Sequence, residues 1–172
     1  LIAQSYNTSS AKAIEYFEKA RQEYLNENYD KAMSSIEKAL HIDDEFAEAY
    51  VLEAELHLEL NEDSLAIMSY ENIFEIDSMS FPKIVIPLSN LYSKYLQFDK
   101  SIKLLDWYLT LDNQSDILMK RAEQQLDEMK FRKSLVENPV DYNPENINGV
   151  NTLADEYVNQ YYVNEDKIIF TK

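Results

Sequence analysis

Histidine and carboxylate side chains are the residues of this chain that could bind a metal or transfer protons. The two histidines are His41 and His57, and Glu53 precedes His57 by four residues, on the same face of a helix. Glu53 with His57 could form an acid–base pair, but we interpret it as part of a solvated helix face, and we interpret both histidines as surface or groove residues instead of metal ligands. The acidic run 43–45 is interpreted as a solvated turn, because the chain contains 32 acidic residues. We therefore predict no metal site, no cofactor and no catalytic residue.

The composition removes several further classes of function. Cysteine is absent, which excludes thiolate zinc sites and a cysteine nucleophile. Neither a glycine-rich phosphate loop nor a nucleophile elbow is present, so we do not expect an enzyme. The net charge of −16 repels phosphate backbones, which argues against a nucleic-acid partner. No apolar run approaches the roughly 20 residues that span a bilayer, so we expect no transmembrane segment.

A repeat organises most of the chain and determines where a functional surface would lie. Three segments, "NYDKAMSSIEKALHID", "NEDSLAIMSYENIFEID" and "QFDKSIKLLDWYLTLD", align on Asp43, Asp77 and Asp112, and the second interval is longer than the first by a single position. Glycine occurs once, at Gly149, which favours long helices before it. The period of about 34 residues is that of the tetratricopeptide repeat, a helix–turn–helix unit.

Small residues recur at the positions where two antiparallel helices would cross. Ala20 and Ala54 are separated by one repeat period, and so are Ala32 and Ala66. We predict an all-α solenoid of three helix pairs, at 13–46, 47–80 and 81–114, with larger apolar residues between the helices. The segment that follows, up to residue 137, has apolar residues at helical spacing and is predicted to cap the last open face.

The third repeat departs from the pattern because it contains two prolines. Pro82 suits the first turn of a helix. Pro87 falls where the repeat predicts helix interior, a position that costs roughly 3 kcal/mol. We therefore expect the first helix of this pair to be bent or to begin late.

The first helix of each pair is expected to line a concave surface that takes a helix or an extended segment of another protein. The 13 tyrosines of the chain suit such contacts. A groove for acidic chaperone C-termini needs several lysines and asparagines, and Arg21 alone does not provide them. Whether a partner uses the groove, the convex side or the cap helix stays open. Mapping the repeat gives these lining candidates: Phe17, Arg21, Tyr24, Val51, Glu55, Leu58, Val85, Ser89 and Tyr92.

The composition changes after residue 137. The stretch "VENPVDYNPENINGVN" carries two prolines and the one glycine, and it is interpreted as an extended linker with turns. "EYVNQYYV" and "KIIFTK" are predicted to form a short β-hairpin joined by "NED". An isolated hairpin is marginally stable, so we expect these strands to belong to a larger sheet.

The motifs of this tail resemble the entry into a TolB-like β-propeller. They are Asn138-Pro139-Val140, Asn146-Ile147-Asn148, Val150-Asn151-Thr152, Asp155-Glu156-Tyr157 and Phe170-Thr171-Lys172. Two features depart from the family pattern, namely Asn159 in place of a proline and Asn164-Glu165-Asp166 in place of the usual turn. Repeats followed by such a tail are similar to the N-terminal half of OmpA-family proteins of the outer membrane.

The resemblance implies a periplasmic, outer-membrane-associated scaffold of the type that serves envelope machines, including type IX secretion. It also implies a protein partner in an outer-membrane complex, and contact with peptidoglycan only through domains beyond residue 172. In this interpretation the chain comprises an N-terminal segment (1–12), the repeat domain (13–137), and a linker with the first propeller strands (138–172). The residues "LIAQS" suit the end of a secretory signal and suit a disordered lead equally well. Two alternatives remain: a regulatory module of an envelope enzyme or sensor, and a cytosolic repeat adaptor.

Overall fold

A computed structural model describes residues 6–77, 80–112 and 115–139, and the backbone of two strands at 157–161 and 168–171. The chain forms two compact units, residues 1–137 and residues 138–172. The helices of the first unit are α1 (Ala11–Leu25), α2 (Tyr29–Ile42), α3 (Ala47–Glu59), α4 (Asp63–Asp77), α5 (Val85–Lys94), α6 (Phe98–Leu109) and α7 (Asp116–Glu137), with a 3-10 turn (Pro82–Ile84) before α5.

The described helices form three antiparallel pairs, α1–α2, α3–α4 and α5–α6, and α7 packs against α6. Ala20 and Ala32 are completely buried in the core of the first pair. Ala54 and Ala66 take the same places in the second pair and are equally buried. Because a methyl group lets two backbones approach closely, these four positions fix the helix crossings. The predicted all-α solenoid of three pairs and a capping helix is confirmed.

The turn inside each pair repeats in its backbone geometry. Glu27, Asn61 and Leu96 all have left-handed φ values, of 59°, 60° and 57°. In each turn the following residue's N–H donates to a carbonyl of the preceding helix, for example from Gln97 to Tyr92 at 2.8 Å. This arrangement ends the first helix of each pair and satisfies one of its free carbonyls. The second interval between these turn residues exceeds the first by one position, so the extra residue of the repeat lies between Asn61 and Leu96.

The prolines of the third repeat are accommodated by a late helix start. Pro82 opens the 3-10 turn, and α5 begins only at Val85. Pro87 is consequently the third residue of α5, within the first turn, where an N–H has no intrahelical acceptor. The sequence prediction of a late start is confirmed, and the helix avoids the cost of an interior proline.

The residues before α1 bind across the first two pairs. The side chain of Asn7 donates to the carbonyl oxygen of Glu45 at 2.8 Å and accepts from the N–H of Ala47 at 3.1 Å. Its backbone N–H donates to the Glu48 carboxylate at 3.1 Å. The Tyr6 ring packs edge-on against Phe17, 5.3 Å between centroids. Part of the predicted N-terminal segment 1–12 is therefore packed onto α1 and α3, while residues 1–5 lie outside the described residues.

The capping helix α7 is attached to α5 by a buried polar network. The Gln125 side-chain amide donates to the hydroxyl of Ser89 at 3.0 Å and to the amide oxygen of Asn90 at 2.6 Å. Apolar contacts surround this network, because Ala122, Leu126 and Met129 are buried in the third core cluster. The open face of the third pair is thus covered by α7, as expected for a terminal cap.

The second unit contains strands β1 (Tyr157–Tyr161) and β2 (Ile168–Thr171). They pair antiparallel, with Tyr157 opposite Thr171 and Tyr161 opposite Ile168, and the register shifts between Val158 and Gln160. The predicted linker and the turn between the strands lie outside the described residues, as do most of the propeller-like motifs. In the part of the chain that the structure describes, no helix has both the length and the apolar character needed to cross a membrane.

Candidate functional site

A groove with a volume of about 590 Å³ runs along the first helices of the pairs. α1 and α3 form one side, and the 3-10 turn with the start of α5 forms the other. The wall is mainly apolar, and its polar groups come from a few side chains, as is typical of ligand-binding grooves. The lining residues are Phe17, Arg21, Glu48, Val51, Leu52, Glu55, Tyr70, Ser80, Phe81, Pro82, Lys83, Ile84 and Pro87.

The charged groups of the groove differ in whether they already have partners. Arg21 donates to the Glu18 carboxylate at 3.0 and 3.1 Å, one turn back along α1. Glu48 accepts from the backbone of Asn7. Glu55 is exposed and accepts no hydrogen bond from any described residue. The groove desolvates its carboxyl and raises the pKa, and the charge of Glu59 raises that pKa further.

Tyr70 lines the same groove although only 3% of its surface is exposed. No described residue hydrogen-bonds its hydroxyl. Burial, together with the charge of Glu55 and the proximity of Tyr24, raises the pKa of Tyr70 to about 12. The hydroxyl therefore stays protonated and can both donate and accept a hydrogen bond at the groove wall.

Four of the predicted lining residues meet in this groove: Phe17, Arg21, Val51 and Glu55. Phe17 is nearly buried, since its ring also packs against Phe46 at 5.0 Å, and it presents only an edge. Val51 is half-buried and Glu55 is exposed. The first and second pairs therefore supply the predicted face.

Two predicted residues lie beside the groove. Tyr24 is half-buried, and its ring packs against Tyr29 at 5.8 Å between centroids. Leu58 is half-buried against the core of the second pair. Neither residue lines the groove itself. Burial raises the pKa of the Tyr24 phenol, and the nearby charge of Glu55 raises it further.

The three lining candidates of the third pair need correction. Val85 and Ser89 have no exposed surface and belong to the interior, so a partner cannot reach them. Tyr92 lines a separate depression of about 390 Å³ between α4, α5 and α6, and its hydroxyl donates to Glu71 at 2.6 Å. The cause is the extra residue of the repeat. It precedes α5, so counting one ordinary repeat period from α3 reaches positions that are one residue too early.

His57 and the acidic run 43–45 make contacts in the turns next to α3. His57 Nδ1 lies 2.8 Å from the Glu62 carboxylate, across the turn that follows α3. Asp43 accepts from the N–H of Glu45 at 3.1 Å and from the hydroxyl of Thr8, as in a turn. Within the described ranges, no group of three histidine or acidic side chains could hold a metal ion.

Sequence reasoning missed half of the groove. Phe81, Pro82 and Lys83 form its second wall, and Tyr70 contributes from the second helix of a pair. The segment "SFPKI" was one available signal for this wall, because its apolar residues before a helix need to pack against the preceding repeat. The sequence offered no comparable signal for Tyr70, which the repeat places in the core.

Solved structures of tetratricopeptide-repeat proteins share this fold. The Yersinia enterocolitica type III secretion chaperone SycD, in complex with a peptide of the translocator YopD, has a TM-score of 0.62 at 16% identity; the match covers 73% of this chain and 97% of that chain. The first TPR of Spaghetti (RPAP3), bound to the HSP90 peptide SRMEEVD, has a TM-score of 0.61 at 15% identity over 76% of this chain and 99% of that chain.

The Sgt2 TPR domain from Aspergillus fumigatus is also similar, with a TM-score of 0.60 at 12% identity over 85% of this chain and 98% of that chain. No protein-family model matches the chain, and no curated protein matches it by sequence. At these identities the likeness establishes the tetratricopeptide-repeat fold.

Proposed function

We propose that this protein is a non-catalytic scaffold whose groove holds a segment of another protein. The observation that carries the proposal is the groove of about 590 Å³ along α1, α3 and the start of α5, with its apolar wall and few polar groups. Two of the structures with this fold contain a bound peptide. A short helical or extended segment of a partner could lie in this groove, across the first helices of the pairs.

The cellular setting is the finer part of the proposal. We place the protein in the periplasm, associated with the outer membrane, where it docks a component of a secretion or outer-membrane assembly complex. Support comes from the propeller-like motifs of the tail and their resemblance to OmpA-family proteins. In this proposal, attachment to peptidoglycan belongs to domains outside this chain, and the repeats supply the docking surface.

Site-specific photo-cross-linking in cells tests both parts. A photoreactive residue replaces Lys83, which is exposed and lines the groove. The matched control places it at Met68, which is 58% exposed and does not line the groove. We expect a discrete adduct with an envelope protein from position 83 and none from position 68. Equal adducts from both positions would contradict binding in the groove, and adducts with cytosolic chaperones alone would contradict the proposed location.

A further inference from the structure

Glu55, Tyr70 and Lys83 line the groove and have no hydrogen-bond partner among the described residues, and Glu55 and Tyr70 lie away from the wall that carries Lys83. Tyr70 is almost completely buried, but its unpaired hydroxyl keeps access to the groove, where water or a ligand can hydrogen-bond it. Glu55 lies one helical turn from Glu59 along α3, and it forms no ion pair with a cation of the described residues. This end of the groove is therefore electronegative and has unused hydrogen-bonding capacity.

The basic groups of the groove do not neutralise this end. Arg21 is held by Glu18, and its guanidinium lies 6.0 Å from the centre of the Phe17 ring. Lys83 projects from the opposite wall, the 3-10 turn, and forms no ion pair with any described residue. Glu55 and Tyr70 line the same groove and form one polar cluster, in which the charge of Glu55 contributes to raising the pKa of Tyr70.

We propose that this cluster is the seat for a lysine or arginine side chain of the bound protein segment. The cation donates to the Glu55 carboxylate and to the Tyr70 hydroxyl oxygen, and the apolar wall of the groove covers its aliphatic stem. This inference rests on the proposed function and specifies the chemistry of its ligand. The excess of 32 acidic over 16 basic residues would also attract a cationic segment.

The opposite specificity needs cationic groups that are free to bind a carboxylate. The HSP90 peptide in one of the structures with this fold ends in the acidic sequence EEVD. Here Arg21 is already paired, Lys83 is a single unpaired cation on the opposite wall, and Glu55 would repel a carboxylate placed next to it. A segment with a basic residue between apolar ones matches the groove better on both counts.

The probe is a phage-displayed library of random linear peptides, selected on the full 172-residue chain. We expect recovered peptides to share a lysine or arginine flanked by apolar residues. A synthetic copy should bind Glu55→Gln about tenfold more weakly than the unaltered chain. It should bind Tyr70→Phe a few-fold more weakly and Glu37→Gln equally well, since Glu37 is exposed on α2 outside the groove. Far-UV circular dichroism verifies that each variant is folded.

A second measurement tests the ion pair between Glu55 and the peptide's basic residue directly. Replacing the peptide's basic residue by norleucine should weaken binding to the unaltered chain but cause no further loss in Glu55→Gln, because both changes remove the same ion pair. Independent, additive losses would overturn the seat.

The seat and the proposed function fail in different ways. Peptides without a basic preference that bind Glu55→Gln normally, yet are blocked by Val51→Tyr in the groove, would overturn the seat and leave the groove function standing. Failure to recover peptides, or recovery of peptides insensitive to both substitutions, would overturn the proposed function as well.

Discussion

The hydroxyl oxygens of Ser89 and Ser101 lie 2.6 Å apart in a hydrogen bond at the crossing of α5 and α6. Both side chains are completely buried. The equivalent positions in the second pair are Ala54 and Ala66, which are separated by the same interval. The third pair therefore joins its two helices through a polar contact at a place where the second pair uses methyl groups.

Replacing one serine should cost more than replacing both. Ser101→Ala leaves the Ser89 hydroxyl without one of its partners, and we expect the free energy of unfolding to fall by about 1 kcal/mol. The double variant Ser89→Ala/Ser101→Ala restores the alanine pair of the second repeat, and the Gln125 amide, which loses Ser89 as an acceptor, still donates to Asn90, so the double variant should be more stable than Ser101→Ala. Denaturant unfolding followed by Trp107 fluorescence reports on this region, because that ring packs against Phe74. Additive losses in the double variant would contradict the prediction.

The amide of Gln125 should be the main polar attachment of the capping helix. Gln125→Ala removes donors to Ser89 and Asn90 and leaves a small cavity, so we expect a loss of about 2 kcal/mol in stability. Gln124→Ala is the control, since Gln124 is exposed and differs by a single position. Hydrogen exchange of the α7 amides should increase only in the first variant. Equal exchange in both would show that contacts other than the Gln125 amide hold the helix, such as the hydrogen bond from Arg132 to the Ser93 hydroxyl.

The repeat architecture could be predicted from sequence because its helix crossings need only small residues at regular intervals. Ala20 and Ala54 need only be small and lie one repeat period apart to mark two equivalent helix crossings. The third pair was harder because its crossing residues are serines, which do not stand out as small core residues. A count of one ordinary period therefore placed Ser89 on the surface, although Ser89 and Ser101 repeat the separation of Ala54 and Ala66.

The groove itself depends on packing that the sequence pattern does not encode. Tyr70 occupies a core position of the repeat, and only the placement of the 3-10 turn determines which side of it stays open. The turn's position follows from the extra residue between α4 and α5, whose location the alignment left open. The exposure of Glu55 was predictable, because a charged side chain on the first helix of a pair has to reach solvent.

Replacing Leu96 by glycine should stabilise the protein. Its φ of 57° is left-handed, a conformation that costs a leucine about 1 kcal/mol, and its side chain is 64% exposed. We expect Leu96→Gly to raise the free energy of unfolding by roughly that amount, less the flexibility that glycine adds to the unfolded chain. Leu60→Gly is the control, because Leu60 has an ordinary φ of −84° and should lose stability. Similar losses in both variants would argue against backbone strain at Leu96.

Asp63 should link the second and third pairs in a pH-dependent way. It pairs with Lys94 and accepts from the Tyr95 hydroxyl at 2.9 Å, and these contacts lower its pKa. A lowered pKa means that the stabilisation is present above the ordinary aspartate range and disappears as the pH falls through the folded value. Asp63→Asn should lose about 1 kcal/mol at neutral pH and nothing in strong acid. Asp30→Asn is the control, because Asp30 lies in the first turn of α2, the second helix of its pair, as Asp63 does in α4. In denaturant titrations it should change stability little at either pH.

Glu55 should weaken the free protein at neutral pH because its carboxylate is partly desolvated and lies near the charge of Glu59. Its pKa is raised by desolvation and by Glu59, so the folded state holds its proton more tightly than the unfolded state does. The charge therefore destabilises the fold above the raised pKa, and the penalty fades as the pH falls toward the ordinary glutamate range. Glu55→Gln should stabilise the free chain by up to about 0.5 kcal/mol at neutral pH, since the side chain is exposed, and should match it in acid. Thermal melts of Glu55→Gln and of the control Glu37→Gln across this pH range measure the difference. A Glu55→Gln variant less stable than the unaltered chain at neutral pH would show that the carboxylate supports the fold instead of a ligand.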